Sequence, residues 1–215
     1  MKKYILLAFC FVIISCKSST DNGTQSQGVI MPLAIGNTWI YIDNGYDSNG
    51  HLIAPSPFDT LQISDTISYG KDILYIPRNR DIYYTNKADG LWVRYGFAFS
   101  EDIFFAKYPA NIGDIFRHNS FVITKESSPD PLGVATADFI VSSTTESVTV
   151  PAGTFICYKY NADYYDTASH QLLDRFNTYY APNVGMIKEE DFYLDSASQT
   201  LKLAQSHQLT KVILH

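Results

Sequence analysis

The sequence has little cysteine, and none of its three cysteines has a partner for a structural disulfide. Cys10 lies inside an apolar leader, Cys16 directly follows that leader, and Cys157 stands alone in the rest of the chain. We therefore predict no intramolecular disulfide, although the leader implies export to an oxidising compartment. Cys157 lies in a run of bulky strand-forming residues, which favours a buried, unreactive thiol.

The sequence also lacks the signatures of common catalytic and cofactor sites. It has no Gly-x-Ser-x-Gly elbow, no His-Glu-x-x-His motif, no phosphate-binding glycine loop and no Cys/His ligand set. Its five histidines are scattered and are not paired at ligand spacing, which favours surface positions for them. We predict no cofactor, no metal site and no catalytic residue.

Positive charge is scarce as well. Without the leader, 14 Lys and Arg residues face 22 Asp and Glu residues, a net charge of −8. Nucleic acids and anionic lipid surfaces are bound through basic patches, so the composition argues against both as partners. A chain of this length can form one domain with a substantial core.

Helical patterns are missing, and strand patterns replace them. No stretch of about a dozen residues combines a 3.6-residue period with helix caps. Strand candidates recur about every ten residues, with turn residues between them. Thr60 to Tyr69 alternates most cleanly, and the Pro-rich stretch Ser127 to Gly133 reads as a loop. We predict an all-β fold: one curved antiparallel sheet, as a half-barrel or a sandwich, with a C-terminal meander. A half-barrel with a helix in its concavity stays open as an alternative.

The first 15 residues have the pattern of a secretory leader, with Lys2 and Lys3 ahead of an apolar run too short to span a bilayer. Ile13-Ile14-Ser15-Cys16 resembles the bacterial lipobox, in which the cysteine thiol receives a diacylglyceryl group. We predict lipidation at Cys16, a flexible tether over residues 16–30, and one β-rich domain over residues 31–215. Lys17, rather than Asp, follows the lipidated cysteine, which favours the outer membrane over the inner membrane.

The rest of the chain is organised around Val148 to Asp191, which reads as three consecutive antiparallel strands. This stretch contains Pro151-Ala152-Gly153-Thr154-Phe155 and Tyr179-Tyr180-Ala181-Pro182-Asn183-Val184-Gly185-Met186-Ile187-Lys188. Gly36-Asn37-Thr38-Trp39-Ile40-Tyr41 opens the domain. Together these segments resemble a pattern in small bacterial lipoproteins. The resemblance implies a curved antiparallel sheet similar to the half-barrels of lipoprotein-localisation factors, and it implies no catalytic residues.

Aromatic residues are the one surplus, with 16 Tyr and 2 Trp. Tyr83-Tyr84, Tyr164-Tyr165 and Tyr179-Tyr180 are adjacent pairs, and neighbours in a strand face opposite ways, so each pair predicts one inner and one outer ring. Exposed Tyr and Trp rings are suited to sugars or peptides, and Tyr84 and Trp92 are the candidate ligand contacts. The alternative is that the rings only cover the faces of the sheet.

These patterns predict a lipid-anchored cell-envelope protein, held at the membrane by its lipid, that acts as a non-catalytic binding or structural module. Its partner would be a glycan, a lipid or an envelope protein. One alternative is a carrier that holds a lipophilic ligand in an apolar cavity. Another is a glycan hydrolase that uses Glu189 and Asp191, which share a strand face. A flat aromatic strip would favour the glycan binder, and a polar cleft with a carboxylate pair or a His–carboxylate pair would favour the hydrolase.

Overall fold

The structure is a computed structural model that describes residues 28–53, 55–56, 58–96, 102–125, 128–195 and 197–215. Every regular element in these residues is a β-strand. The strands are β1 (Thr38–Gly45), β2 (Asp59–Tyr69), β3 (Asp72–Pro77), β4 (Ile82–Lys87), β5 (Gly90–Tyr95), β6 (Ile103–Lys107), β7 (Ile115–Lys125), β8 (Ser128–Val150), β9 (Gly153–Asp166), β10 (Leu172–Ala181), β11 (Gly185–Asp195) and β12 (Thr200–Ile213). In this part of the chain no helix is long and apolar enough to cross a bilayer.

All twelve strands form one antiparallel sheet. Their order is β6-β5-β4-β3-β2-β1-β12-β11-β10-β9-β8-β7, so the pairing of β1 with β12 joins the two ends of the domain. The sheet curves until it is nearly closed as a barrel. Its two edge strands are β6 and β7, and the rings of Phe104 and Phe116 contact across the gap with centroids 5.5 Å apart.

This architecture confirms the predicted all-β fold and its C-terminal meander, which runs from β7 to β12. It decides for a single curved sheet over a sandwich, and no helix among the described residues fills the concavity. The predicted loop at Ser127 to Gly133 is wrong over Ser128 to Gly133, because β8 begins at Ser128 and pairs with β7 through an irregular register. The packed face predicted for Thr60 to Tyr69 is only partly right. Leu61 and Ile63 are buried, whereas Ile67 and Tyr69 are exposed beyond a bulge.

One end of the sheet is covered by the segment Gly28 to Ala34, called here the N-terminal plug. Val29 exchanges hydrogen bonds with Asn183 in the β10–β11 turn, and the Asn86 side chain on β4 donates to the Met31 carbonyl over 2.8 Å. Ile30 and Met31 are 1% and 2% exposed. The plug is therefore tied to both halves of the sheet, and Ile30, assigned to the tether by the sequence, is part of the core.

Two of the segments that carry the resemblance, those around Trp39 and Gly185, meet at this end. Trp39 is fully buried and its indole N–H donates to the Val184 carbonyl over 2.6 Å. Gly185 has φ +110°, and a Cβ there would lie 2.9 Å from Trp39 Nε1, so only glycine fits. Asn37 donates to the Pro32 carbonyl and accepts the backbone N–H of His215. The sequence predicts core positions for Trp39, Ile63, Phe155, Cys157 and Ile187. All of them are buried except Phe155, which packs on the core from a partly buried position.

Candidate functional site

The concave face of the sheet lines a partly open cavity of about 660 Å³, and Met31 of the plug is among its lining residues. Its apolar lining comes mainly from aromatic and branched side chains, and its polar lining is divided between two groups of charged residues. The apolar members include Leu61, Ile82, Phe105, Phe139, Phe176 and Met186. Cavities of this size are typical of small-molecule sites. The cavity is therefore the candidate functional site.

The first polar group, called the paired cluster, lies where β1 and β12 join the two halves of the sheet. It consists of Asp43, Asp59, Arg80, Glu189 and His207. Asp43 contacts His207 Nδ1, Asp59 pairs with Arg80, and His207 Nε2 lies 3.9 Å from the second oxygen of Asp59. The imidazole also stacks on the Tyr41 ring at 4.4 Å. The carboxylates of Asp43 and Asp59 therefore each have a partner, His207 and Arg80 respectively.

Glu189 faces the cavity beside His207, its register partner on β12. Burial raises the pKa of its carboxyl from 4.5 to about 7, although the nearby His207 acts in the opposite direction. Asp191 lies two residues further along the same face, as predicted, and its charge adds to the rise in the Glu189 pKa. A carboxyl with a pKa near neutrality can hold or release a proton under ordinary conditions.

The second polar group, called the Arg117 wall, contains one cation among aromatic rings. The Arg117 guanidinium carbon lies 3.5 Å from the ring centroid of Phe139 and 5.8 Å from that of Phe105. Its Nε is buried and has no hydrogen-bond partner. Burial lowers the pKa of Arg117, and among the described residues Tyr164, Tyr95 and Tyr180 act in the opposite direction. Within the described residues, no carboxylate balances this charge.

Sequence reasoning missed Arg117 because of a local irregularity in β7. Ile115 pairs with Ile140 but Arg117 pairs with Phe139, so the ladder shifts by one residue between them. As a result Phe116, which packs on Phe139 and Tyr160, and its neighbour Arg117 both reach the interior. Simple alternation would place them on opposite faces. His207 was missed for another reason: it was interpreted as a surface residue, and only the pairing of β1 with β12 brings it to Asp43.

The two aromatic candidates, Tyr84 and Trp92, lie apart. Tyr84 is 8% exposed and lines the cavity, and burial raises its pKa to about 12. Trp92 follows the buried Leu91 and precedes the buried Val93, so it points to the other face of β5. There it stacks on Phe104 at 4.5 Å and donates to Asp89. The two rings therefore do not share one binding surface.

Each adjacent tyrosine pair has one ring in the cavity lining and one outside it, as predicted, but most of the outer rings are not exposed. Tyr83, Tyr84, Tyr179 and Tyr180 are all buried, and only Tyr165, at 41%, is clearly exposed. Neighbouring side chains cover the outer rings. Tyr179 donates to Glu190 and lies under Lys159, and Tyr83 donates to Asp81. These residues therefore do not supply a flat exposed strip.

The other positions discussed in the sequence analysis are Cys157, the histidines and acidic residues, and Cys16. Cys157 is fully buried, as predicted, and burial raises its pKa to about 12, so its thiol is not a nucleophile at neutral pH. Across the ranges that the structure describes, no three His, Cys, Asp or Glu side chains converge as a metal site requires. The lipidation candidate Cys16 and the leader lie outside the described residues.

Comparison with known proteins supports the fold but names no activity. A family model described as DUF3108-like matches residues 115–200, which is less than half of the chain and runs from β7 to the start of β12. The matched region includes both Arg117 and Glu189. No curated protein matches the chain at a significant level.

Two solved structures are similar to this chain. One is a protein of Bacteroides fragilis described as exported, with a YmcC-like fold; it has a TM-score of 0.51 and 15% identity, with 87% of this chain and 100% of that chain covered. The other is a protein of Parabacteroides distasonis described as a lipoprotein, with a TM-score of 0.45, 18% identity and coverage of 88% and 100%. At 15% identity, the similarity to the Bacteroides fragilis protein shows a shared fold alone, the YmcC-like curved sheet.

Proposed function

We propose that the protein is anchored in the cell envelope by a lipid on Cys16 and binds a partly apolar small molecule inside its sheet without transforming it. The observation that carries this proposal is the cavity of about 660 Å³ with its apolar lining. Phe105, Phe139 and Phe176 offer rings to a ligand from three different strands. Burying a ligand's apolar surface against such rings is favourable by roughly 25 cal/mol per Å².

The proposed location depends on the leader and the lipobox-like Ile13-Ile14-Ser15-Cys16. The exported protein of Bacteroides fragilis with the same fold is in keeping with a place in the envelope. Of the membranes, the outer one is proposed because Lys17 follows Cys16. A Cys16→Ala variant should leave the detergent phase in a phase-partition experiment, while the parent chain enters it. Equal partitioning of both would contradict the anchor.

Ligand binding can be tested on the mature chain, residues 16–215, with Cys16→Ser to remove the lipid. N-phenyl-1-naphthylamine is an uncharged apolar probe that becomes fluorescent when it is buried. We expect it to bind, and we expect Ile82→Trp to weaken binding at least tenfold because the larger ring fills the cavity.

The matched control is Ile73→Trp, which adds the same ring at a position 52% exposed on the neighbouring strand β3. It should leave the affinity for the probe unchanged. Absence of binding to the parent, or equal losses in both variants, would overturn the binding proposal.

A second candidate function is hydrolysis of a glycan, favoured by one observation. Glu189 lines the cavity with a pKa of about 7, and the exposed Asp191 lies two residues further along the same strand face. A proton-donating carboxyl next to an ionised one is the arrangement that glycosidases use. Turnover of a glycan panel that is lost in Glu189→Gln would establish this candidate over the non-catalytic one. We rank it second because the phenylalanine lining gives the cavity an apolar character that a sugar site does not need.

A further inference from the structure

The Arg117 wall points to the chemical class of the ligand, and this inference rests on the proposed binding function. We propose that the cavity binds a single-chain amphiphile with an acidic head group, a carboxylate or a phosphate, and that Arg117 binds this head group. Neither the fold nor the family match assigns such a site.

Arg117 has a buried hydrogen-bond donor that is not satisfied within the described residues. A guanidinium carries five N–H donors in a planar fork. Here its Nε is enclosed without a partner, and no hydrogen bond or ion pair joins Arg117 to another described residue. The rings of Phe105 and Phe139 supply cation–π contact but accept no strong hydrogen bond. A buried donor left unpaired is costly, so the arrangement favours a bound acceptor.

The acceptor that Arg117 lacks should be an anion. The other cavity arginine, Arg80, is neutralised by Asp59 and therefore has little need of an anion from outside. The charges that shift the pKa of Glu189 are those of His207, Asp191 and Asp43. Those that shift the pKa of Arg117 belong to Tyr164, Tyr95 and Tyr180. Neither group shifts the pKa of the other, so Glu189 does not serve as the counter-charge of Arg117. A carboxylate or phosphate is the acceptor that matches a guanidinium fork.

The apolar lining next to Arg117 indicates that the rest of the ligand is an apolar chain. Phe105 and Phe139 lie directly against the guanidinium, and Phe176, Ile82 and Leu61 continue the apolar lining away from it. An anion alone would leave this lining in contact with water. An acidic group carrying an acyl or alkyl chain satisfies both parts of the cavity.

The test is isothermal titration of the mature Cys16→Ser chain with decanoate, decyl phosphate, decanol and inorganic phosphate, each below its aggregation limit. We expect the two acidic amphiphiles to bind about tenfold or more tightly than decanol, since a charge-assisted hydrogen bond is worth roughly one such factor or more. Arg117→Gln should remove this preference, so that decanoate, decyl phosphate and decanol bind the variant with similar affinities. Decanoate and decyl phosphate separate the two head groups.

The matched control is Arg175→Gln, which removes an arginine paired with Asp163 over 2.6 Å on the opposite face of the sheet. It should keep the full preference. Wild-type chain that binds decanol as tightly as decanoate and decyl phosphate, or Arg117→Gln that keeps the preference, would overturn the inference.

Other outcomes are separable. If inorganic phosphate binds as tightly as decyl phosphate, the site is one for a free anion and the amphiphile is excluded. If N-phenyl-1-naphthylamine and all four ligands fail to bind, the binding function itself is wrong. Should Arg117→Gln not fold, the ranking of the four ligands on the wild-type chain decides, and Arg117→Lys should retain a weaker preference for acids because it keeps the charge but not the fork.

Discussion

The plugged end of the sheet and the Arg117 wall treat polar groups in opposite ways. At the plugged end, Asn37, Trp39 and Asn183 all have hydrogen-bond partners within the chain, and the apolar surfaces around them are closed. At the wall, the half-buried Arg117 guanidinium lies against two aromatic rings, and its buried Nε has no acceptor among the described residues. A folded chain gains stability by the first arrangement and loses stability by the second. The difference separates the part that holds the fold from the part that is suited to a ligand.

The largest effect is expected at the plugged end. Trp39→Ala removes a fully buried indole and its hydrogen bond to Val184, so we expect a loss of about 3–5 kcal/mol in the free energy of unfolding. Urea denaturation followed by circular dichroism would measure it.

The control for this change is the other tryptophan. Trp92→Ala removes a partly buried ring that stacks on Phe104, bonds Asp89 and lies under Lys87 Nζ, so the loss should be less than half as large. Equal losses would show that the plugged end is not where the fold is held, and would break the comparison.

The next largest effect on stability is expected at Glu189 in the paired cluster. Its pKa is raised from 4.5 to about 7 in the folded chain, so folding favours the protonated form. The stability from this group is complete below pH 4.5 and is lost as the pH rises through 7. The difference corresponds to up to about 3 kcal/mol. Glu189→Gln should therefore gain stability relative to the wild type between pH 4 and pH 8, measured by urea denaturation at each pH.

Glu190, the next residue, is the matched control with the opposite sign. Burial acts against its charge, but hydrogen bonds from Lys188 and Tyr179 outweigh it and lower its pKa. Its contribution is present at neutral pH and is lost as the pH falls through its lowered pKa. Glu190→Gln should therefore lose stability relative to the wild type as the pH rises from 3 to 7. Parallel pH profiles for the two variants would contradict the different environments described for them.

The plugged end was largely predictable from the sequence, and the Arg117 wall was not. Alternation and turn residues locate strands such as β1 and β7, and the segments around Trp39 and Gly185 stand out by their composition. Those signals are local. The interior position of Arg117 depends on a one-residue shift in the pairing of β7 with β8, which leaves no mark in composition.

The paired cluster shows a second limit of the same kind. Asp43 and His207 are separated by 164 residues, and only the pairing of the first strand with the last brings them together. Sequence periodicity assigns faces within one strand but does not choose the neighbour of that strand. Cavity residues on a many-stranded sheet are therefore harder to predict than the strands that carry them.

The smallest effect is expected at Arg117, where a substitution should stabilise the fold. This sign would distinguish the Arg117 wall from the plugged end most directly. Arg117→Met replaces a half-buried cation, whose Nε is buried without a partner, with an apolar chain of similar length. The free protein loses two cation–π contacts but no longer holds an unpaired buried donor, so we expect a gain of about 1 kcal/mol in the free energy of unfolding.

The paired counterpart is Arg94, whose side chain is 7% exposed and bonds Asp102 over 2.7 Å. Arg94→Met removes one of the two cations that neutralise Asp102 and should lower the free energy of unfolding, by about 1–3 kcal/mol. Stabilisation by one substitution and destabilisation by the other would show that Arg117 is kept at a cost to the fold, as expected of a residue retained for a ligand. A loss of stability in Arg117→Met as large as that in Arg94→Met would instead make Arg117 a structural residue.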